Sequence, residues 1–199
     1  MRQHTIATAV EAKGIGVHSG KSSRIVLRPA KENTGIIFKR VDIDYEKNIP
    51  AKVHFVTNTL MATTLGVKPH KVTMVEHLLS ACSGLHIDNL IVEVDGEEMP
   101  IFDGSSAGYS TLLLEAGIKE QDANRMFLKV TKTVSVNHGD SIIRIDPNDK
   151  LEINFALNTD HPAFENNYNY TTDCQDYINT IAPARTFGYT SDLAKLLDL

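Results

Sequence analysis

Short runs that are rich in alternating or β-branched apolar residues dominate the first part of the chain. Residues 22–29 read SSRIVLRP and alternate polar with apolar positions, and residues 34–40 (TGIIFKR) and 89–95 (NLIVEVD) are rich in Ile and Val. Gly, Pro, Asn and Asp bound these runs, as is typical of β-strands. The pattern predicts a strand at each of the three places.

One segment with helical spacing contains two ionisable residues side by side. The spacing predicts a helix over 73–82, with Gly84 after it as a C-terminal stop. Its apolar residues recur every three or four positions: Val72, Val75, Leu79 and Cys82. Glu76 and His77 stand together within this otherwise apolar stretch, VTMVEHLLSAC.

A second helix is predicted over 106–116, where the sequence is SAGYSTLLLEA. Gly117 follows it as a stop signal. The preceding DGSS offers Asp103 and Ser105 as candidates for the N-cap.

The polar stretch IKEQDANR (118–125) has no apolar period and predicts a boundary. Strands are predicted to resume at 126–136, 141–147 and 151–158. His138-Gly139-Asp140 predicts a turn that joins the first two of these strands as a hairpin.

The last part of the sequence predicts fewer elements. Residues 159–173 predict a long polar loop or a weak edge strand, and 191–199 (SDLAKLLDL) predict the beginning of a helix. That helix has no stop signal, so we expect the chain to end within an element. Segregated strands and helices favour an α+β fold, with one domain over 1–122 and an incomplete second domain over 123–199.

Composition narrows the classes of function. The chain has 199 residues, 42% of them hydrophobic, and a net charge of −5, as in globular proteins. It has no dense basic tract, which argues against nucleic-acid binding. It also shows no signal peptide, no membrane-length apolar run and no disulfide framework, so we expect a cytoplasmic protein.

The Glu76–His77 pair allows two interpretations. Neutral imidazole is a common zinc ligand, and a carboxylate beside it can take a proton from a metal-activated water. The spacing is not that of H-E-x-x-H, however, and a catalytic zinc needs three protein ligands. From these residues alone, the alternative is a partly exposed pair on a helix surface.

Three other segments are candidates for chemistry, each with a structural alternative. His18 lies in GIGVHSGK, which lacks the P-loop spacing and predicts a tight turn between strands. PIFDGSSAGY (100–109) is either an anion cradle at a helix N-terminus or an ordinary cap, and we favour the cap. ARTFGY (184–189) places Thr186 and Phe187 on a loop, where they either line a site or belong to the surface. Cys82 is predicted to be a small core residue.

Eight fragments, taken in order, resemble one enzyme family. In both order and spacing the chain is similar to the UDP-3-O-acyl-N-acetylglucosamine deacetylases, zinc enzymes that commit Gram-negative bacteria to lipid A synthesis. The resemblance extends from Thr5 to about Tyr189. It rests on GIGVHSGK, RPA, NTG, VEHLLSA, GLHIDN, PIFDGSSA, LLLEAGI and ARTFG.

The resemblance implies a fold and a set of site residues. The fold would be a two-layer domain of sheet and helices, similar to the second domain of ribosomal protein S5, followed by the start of a second similar domain. His77 would bind Zn²⁺, Glu76 would be the general base, and Thr186 would hydrogen-bond the substrate carbonyl or the oxyanion. The substrate-binding residues would be Leu60, Met61, Ala62, Phe187 and His18.

The resemblance also implies that this chain is C-terminally truncated. The family's other two zinc ligands belong to a later His-Lys-x-x-Asp segment, and a further histidine is its general acid. The isolated chain is therefore expected to be inactive, and the full-length protein to be a monomer that hydrolyses the N-acetyl group of UDP-3-O-(3-hydroxyacyl)-N-acetylglucosamine. Membrane contact would be peripheral, through the acyl chain. The alternative is a catalytically incomplete fragment or a non-catalytic S5-like binding module.

Overall fold

A computed structural model describes residues 1–44, 47–157, 167–171 and 174–188. It contains several small sheets and few helices, which confirms the α+β class. The strands are β1 Arg2–Ile6, β2 Val10–Ile15, β3 Ser22–Pro29, β4 Ile36–Arg40, β5 Ile49–Pro50, β6 Val56–Asn58, β7 Thr64–Val67, β8 His70–Thr73, β9 Leu90–Asp95, β10 Ile118–Asn124, β11 Val134–His138, β12 Ser141–Ile145, β13 Glu152–Ala156 and β14 Asn167–Thr171. The helices are α1 Glu76–Gly84, α2 Ala107–Glu115 and a short α3 Cys174–Asp176, with a 3₁₀ turn at Val53–Phe55 and a π-helical segment at Tyr177–Ile181.

The described residues form two compact units. The first contains Met1–Arg125 and the described residues from Cys174 onward, and the second contains those between Met126 and Asp173. The division into two similar domains, 1–122 and 123–199, stays a prediction. The predicted helix at 191–199 lies outside the described residues. No helix in the described ranges is long and apolar enough to cross a membrane.

A five-stranded sheet forms the framework of the first unit. Its order is β2-β3-β9-β4-β5, with β4 and β9 parallel and the other neighbours antiparallel. The three strands predicted at 22–29, 34–40 and 89–95 are confirmed as β3, β4 and β9. A separate three-stranded sheet has the order β6-β7-β8.

The core of the first unit lies between this sheet and the helices α1 and α2. Alternate residues of β9 have no exposed surface, as the two-residue period of a strand requires for a sheet covered on one face. Both helices contribute fully buried side chains from their inward faces. The fully buried members of this core include Ile25, Leu27, Phe38, Leu78, Leu90, Val92, Val94, Tyr109 and Leu113.

The polar stretch 118–125, where the sequence predicts a boundary, contains a strand; the boundary itself stays a prediction. These residues form β10, which pairs antiparallel with β1. Its exposed face is polar, and its inward face packs through polar contacts: the Gln121 amide donates to the Ala30 carbonyl (2.9 Å) and accepts from the Asn89 side chain (2.8 Å). The strand therefore carries no apolar period, although its backbone is paired.

The boundaries of α1 also differ from the prediction. Residues 70–73 belong to β8, Met74 has a positive φ of 63°, and the helix begins at Glu76. Gly84 lies within the last turn instead of stopping the helix. A Cβ at Gly84 would lie 2.3 Å from the Tyr177 ring, so glycine is needed there for close packing. In α2, Gly117 has a φ of 73° and ends the helix as predicted.

The second unit consists of two antiparallel hairpins. β11 pairs with β12 across the predicted turn at Gly139, which confirms that hairpin. β13 pairs with β14, so the described part of 159–173 forms a strand. The prediction of a strand throughout 126–136 was wrong, because only its last three residues are in β11 and Met126 and Leu128 are 90% and 97% exposed.

Candidate functional site

Glu76 and His77 form the first turn of α1, and both side chains are half-buried. The Thr63 N–H donates to both Glu76 carboxylate oxygens, at 3.1 and 3.3 Å. A backbone hydrogen bond of this kind restricts the orientation of the carboxylate. His77 makes no hydrogen bond to other described residues, so its imidazole is available to a ligand.

Two buried residues near the pair or on its helix, Tyr109 and Cys82, have raised pKa values. Burial raises the pKa of the Tyr109 phenol, and the negative charge of Glu76 raises it further, so α2 lies within electrostatic reach of the pair. Burial also raises the pKa of the Cys82 thiol to about 12. Cys82 is 3% exposed, which confirms it as a core residue and argues against a thiolate ligand.

The three predicted substrate-binding residues before β7 lie on one loop. Leu60 and Met61 are 66% and 47% exposed, whereas Ala62 is buried. Met61 has a φ of 59°, and Thr63 next to this loop makes the hydrogen bond to Glu76. The structure therefore connects the loop to the Glu76 carboxylate through one backbone donor.

Residues 97–106, which we call the bridging segment, hydrogen-bond to several distant elements. The Thr73 N–H donates to the Glu97 carbonyl (2.8 Å), and the Met99 N–H donates to the Thr73 carbonyl (3.0 Å). The Ile101 N–H donates to the Ile15 carbonyl at the end of β2 (3.0 Å). The bridging segment thus joins the entry to α1 with the strand that precedes His18.

The same segment binds the part of the chain that carries Thr186 and Phe187. The Thr186 N–H donates to the Gly104 carbonyl (2.8 Å), and the Ser106 N–H donates to the Ala182 carbonyl (3.0 Å). Both Thr186 and Phe187 have exposed side chains. In the described ranges, no hydrogen bond joins the Thr186 side chain to Glu76 or His77, so the structure brings Thr186 to the bridging segment and not into contact with the pair.

Tyr177 packs the part of the chain that carries Thr186 and Phe187 against α1. Its hydroxyl lies 3.0 Å from the Ser80 Oγ, and its ring packs on Gly84. Tyr177 is 3% exposed. Because Ser80 is one helical turn after Glu76, the chain from 177 to 186 runs from the helix of the Glu76–His77 pair to the start of α2.

The DGSS turn satisfies its own backbone donors. The Ser105 N–H donates to Asp103 (3.1 Å), the Ala107 N–H to the Ser105 Oγ (3.1 Å), and the Gly104 N–H to the Ile101 carbonyl (3.0 Å). The structural cap is Ser106, whose side chain makes no capping bond, instead of either predicted residue. These bonds favour the structural interpretation of PIFDGSSAGY over an anion cradle.

His18 lies in a tight turn between β2 and β3, as predicted. Gly20 has a φ of 63°, a conformation that glycine adopts at no steric cost. The His18 Nε2 is buried and has no hydrogen-bond partner among the residues that the structure describes. A buried nitrogen without a partner is costly, so a bound ligand or water would stabilise it.

The residues present fit one ligand position of a zinc site. His77 supplies a half-buried imidazole next to a carboxylate, which is the donor chemistry that zinc prefers. In the part of the chain that the structure describes, no group of three His, Cys, Asp or Glu residues could hold a metal ion. Among the described residues, His77 and Glu76 could therefore supply at most part of such a site.

Comparison with known proteins identifies the relatives of this chain. The family model described as UDP-3-O-acyl N-acetylglycosamine deacetylase matches residues 3–198. A relative from Psychrobacter sp. (strain PRwf-1), named UDP-3-O-acyl-N-acetylglucosamine deacetylase, is 41% identical over 199 residues. The alignment covers 98% of this chain and 67% of that relative.

Proposed function

Because the chain belongs to the UDP-3-O-acyl N-acetylglycosamine deacetylase family, we propose that it carries one part of a zinc-dependent deacetylase site. The reaction hydrolyses the N-acetyl group of UDP-3-O-(3-hydroxyacyl)-N-acetylglucosamine and releases acetate. In this proposal the reaction belongs to lipid A biosynthesis in the cytoplasm. The observation that supports it best is the half-buried Glu76–His77 pair in the first turn of α1, with Glu76 held by the Thr63 N–H.

His77 would be one of the zinc ligands. When bound, zinc supplies a Lewis acid for the acetyl carbonyl and lowers the pKa of a water molecule towards ~7. α1 fixes the position of the His77 imidazole through the buried Leu78 and Ala81. The remaining protein ligands would come from the later His-Lys-x-x-Asp segment of the family.

Glu76 would be the general base that takes a proton from the attacking water. The hydrogen bond from the Thr63 N–H restricts the orientation of the Glu76 carboxylate.

Thr186 and Phe187 would act on the substrate from the other side. A hydroxyl donor aimed at the carbonyl oxygen stabilises the charge that develops there, and the Thr186 hydroxyl is exposed and free to do so. Phe187, 53% exposed, would line the passage for the acyl chain together with Leu60 and Met61. Large exposed apolar side chains of this kind suit an apolar ligand.

The test is acetate release from the nucleotide-sugar substrate by the protein expressed from its complete gene. We expect release by the wild type and a decrease of about 10²–10⁴-fold in kcat for Glu76→Gln, because that change removes the base and keeps the shape. Glu115→Gln, at the exposed end of α2, is the matched control. A zinc-loaded wild type that releases no acetate would contradict the proposal, as would full activity in Glu76→Gln.

A further inference from the structure

The chain between Tyr177 and Thr186 connects three parts of the first unit. At one end Tyr177 contacts α1, and at the other end the Thr186 N–H donates to the Gly104 carbonyl (2.8 Å). Between them, the Ser106 N–H at the start of α2 donates to the Ala182 carbonyl (3.0 Å). The position of Thr186 relative to α1 therefore depends on contacts at both ends of this stretch.

Tyr177 contacts the same face of α1 that carries the predicted general base. Ser80 and Gly84 follow Glu76 at four-residue spacings, so the three residues form one row along the helix. The Tyr177 hydroxyl lies 3.0 Å from the Ser80 Oγ, and its ring packs on Gly84. Tyr177 is 3% exposed, and a buried hydroxyl needs such a partner because an unpaired one costs free energy. The hydroxyl therefore fixes how the ring is seated on this helix.

The backbone between the two ends is itself hydrogen-bonded. Tyr177–Ile181 form a π-helical segment, and the Ala182 N–H donates back to the Tyr177 carbonyl (2.8 Å). The Ala184 N–H then donates to the Ile181 carbonyl (3.0 Å). Ala182 is 1% exposed, so the middle of the stretch is also packed. A displacement of Tyr177 on α1 would therefore be passed along the stretch towards Thr186.

The bridging segment, to which this stretch is bound, is held by contacts of its own. Glu98 in that segment is 5% exposed, and its two carboxylate oxygens accept the N–H groups of His18 (2.8 Å) and Ser19 (2.9 Å). A Cβ on Gly16 would clash with the same carboxylate. A buried carboxylate that is paired in this way is costly to move. The contact of Tyr177 with α1 is therefore a separate constraint from those that hold the bridging segment.

We propose that Tyr177 is a positioning residue, whose hydrogen bond with Ser80 sets the position of the Thr186 hydroxyl relative to the Glu76–His77 pair. This inference rests on the proposed function. It assigns no chemical step and no substrate contact to Tyr177, which acts only through Thr186. A displacement of about 1 Å in a group that stabilises developing charge is enough to lower the rate.

Tyr177→Phe tests the proposal in the protein expressed from its complete gene. The change removes the hydroxyl and keeps the ring that packs on Gly84. We expect kcat to fall about tenfold, with KM changed less than about twofold, because a donor to the oxyanion acts in the transition state. Ser80→Ala should lower kcat to a similar extent, since it removes the other partner of the bond. An unchanged kcat in Tyr177→Phe would overturn the proposal.

Thr180→Val is the matched control, because it removes another hydroxyl from the same stretch. Thr180 is exposed, and its Oγ1 donates to the Asp176 carbonyl (2.7 Å) instead of reaching α1. We expect both constants to stay within about twofold of the wild type, as for most surface changes. A loss of kcat as large as that in Tyr177→Phe would overturn the proposal, since the stretch would then respond to the loss of any hydroxyl.

A double variant separates positioning from general structural support. Thr186→Val should lower kcat by removing the hydroxyl, and Tyr177→Phe should then add less than about twofold to that loss. Equal effects of Tyr177→Phe with and without the Thr186 hydroxyl would overturn the proposal, because Tyr177 would then act through another group. If Tyr177→Phe does not fold, Ser80→Ala takes its place in the same comparison.

A readout without turnover distinguishes this inference from the proposed function. If the zinc-loaded wild type releases no acetate, the proposed function fails. Crystal structures of the wild type, Tyr177→Phe and Thr180→Val, superposed on α1, then decide the positioning role. Thr186 should move by about 1 Å in Tyr177→Phe and by less than about 0.5 Å in Thr180→Val. A Thr186 that moves no further in Tyr177→Phe than in the control would overturn the inference whatever the activity.

Discussion

In the first unit, the apolar residues of β9 lie under two helices, whereas those of β11 and β12 in the second unit face outward. Leu90, Val92 and Val94 have no exposed surface. Val136 and Ile143, which are paired across the β11–β12 hairpin, are 63% and 70% exposed. The two regions have the same kind of strand sequence, and among the described residues α1 and α2 pack on the sheet of the first.

The comparison separates two properties of a strand: its extended backbone, which its own residues favour, and its burial, which depends on other elements. β-branched residues bounded by turn signals favour an extended backbone in both regions. Burial requires an element from elsewhere in the chain, which α1 and α2 provide for the five-stranded sheet. The candidate site depends on the same helices, because Glu76 and His77 lie on α1.

The largest expected difference between the two regions is in the cost of removing an apolar side chain. Leu78→Ala, at a fully buried position of α1, should lower the free energy of unfolding by about 2–5 kcal/mol. Ile143→Ala should change it by less than about 0.5 kcal/mol, since that side chain is exposed. Urea titration of both variants measures this, and equal costs would refute the distinction between a covered and an uncovered sheet.

A smaller effect is expected from Gly84→Ala, which tests the packing of Tyr177 on α1. Alanine in a helix is normally more favourable than glycine, but here its Cβ would lie 2.3 Å from the Tyr177 ring. We expect destabilisation by about 1–3 kcal/mol in thermal or urea unfolding. In a Tyr177→Ala background the same change should become stabilising. Gly188→Ala, with nothing within 4 Å of the new Cβ, is the control.

The exposed face of the β11–β12 hairpin predicts self-association of the chain. Uncovered apolar strands invite pairing with another copy. Val136→Lys combined with Ile143→Lys should weaken association by about tenfold or more, because burial of the two side chains is lost. Light scattering over a concentration series measures this, with Ser135→Lys on the opposite face of β11 as the control. A wild-type chain that stays monomeric throughout would contradict the prediction.

The smallest effect concerns pH and the start of α2. Hydrogen bonds from Ser105, and then the nearby Arg185, hold the pKa of Asp103 below its usual value of 3.8. A carboxyl whose folded pKa is lowered contributes stability above its unfolded pKa, and loses it as the pH falls through the folded value. We expect less than about 1 kcal/mol, because Asp103 is largely exposed and solvent screens it. In Asp103→Asn, the free energy of unfolding should fall less between pH 5 and about pH 2 than in the wild type. An equal fall in both proteins would contradict this.

The sequence was sufficient for features that depend on neighbouring residues. The strands β3, β4 and β9, the hairpin turn at Gly139 and the end of α2 at Gly117 all follow from local periodicity and from glycine chemistry. The start of α1 was misplaced because Val72 and Val75 fit both a helix period and the edge of β8. The polar strand β10 was missed because its inward face is satisfied by amide hydrogen bonds.

The residues around the candidate site also differ in whether local sequence could point to them. The motif resemblance predicted roles for Glu76, His77 and Thr186; the family itself is confirmed, and these roles stay predictions. Nothing local identified Glu98, because its partners are the N–H groups of His18 and Ser19, about 80 residues earlier. Glycine at position 16 was the one signal in the sequence, and the need for space beside it becomes visible only when Glu98 is in place.

The bridging segment also limits how the length of the chain can vary. Its hydrogen bonds alternate between β8, the His18 turn, the end of β2 and the chain around Ala182 and Thr186. An inserted or deleted residue between 97 and 106 would move every later partner by about 3.3 Å, too far for a hydrogen bond to be kept. Surface loops usually tolerate such changes, whereas here a single added residue would separate elements on both sides of the site. We therefore expect this stretch to accept substitutions more readily than changes in length.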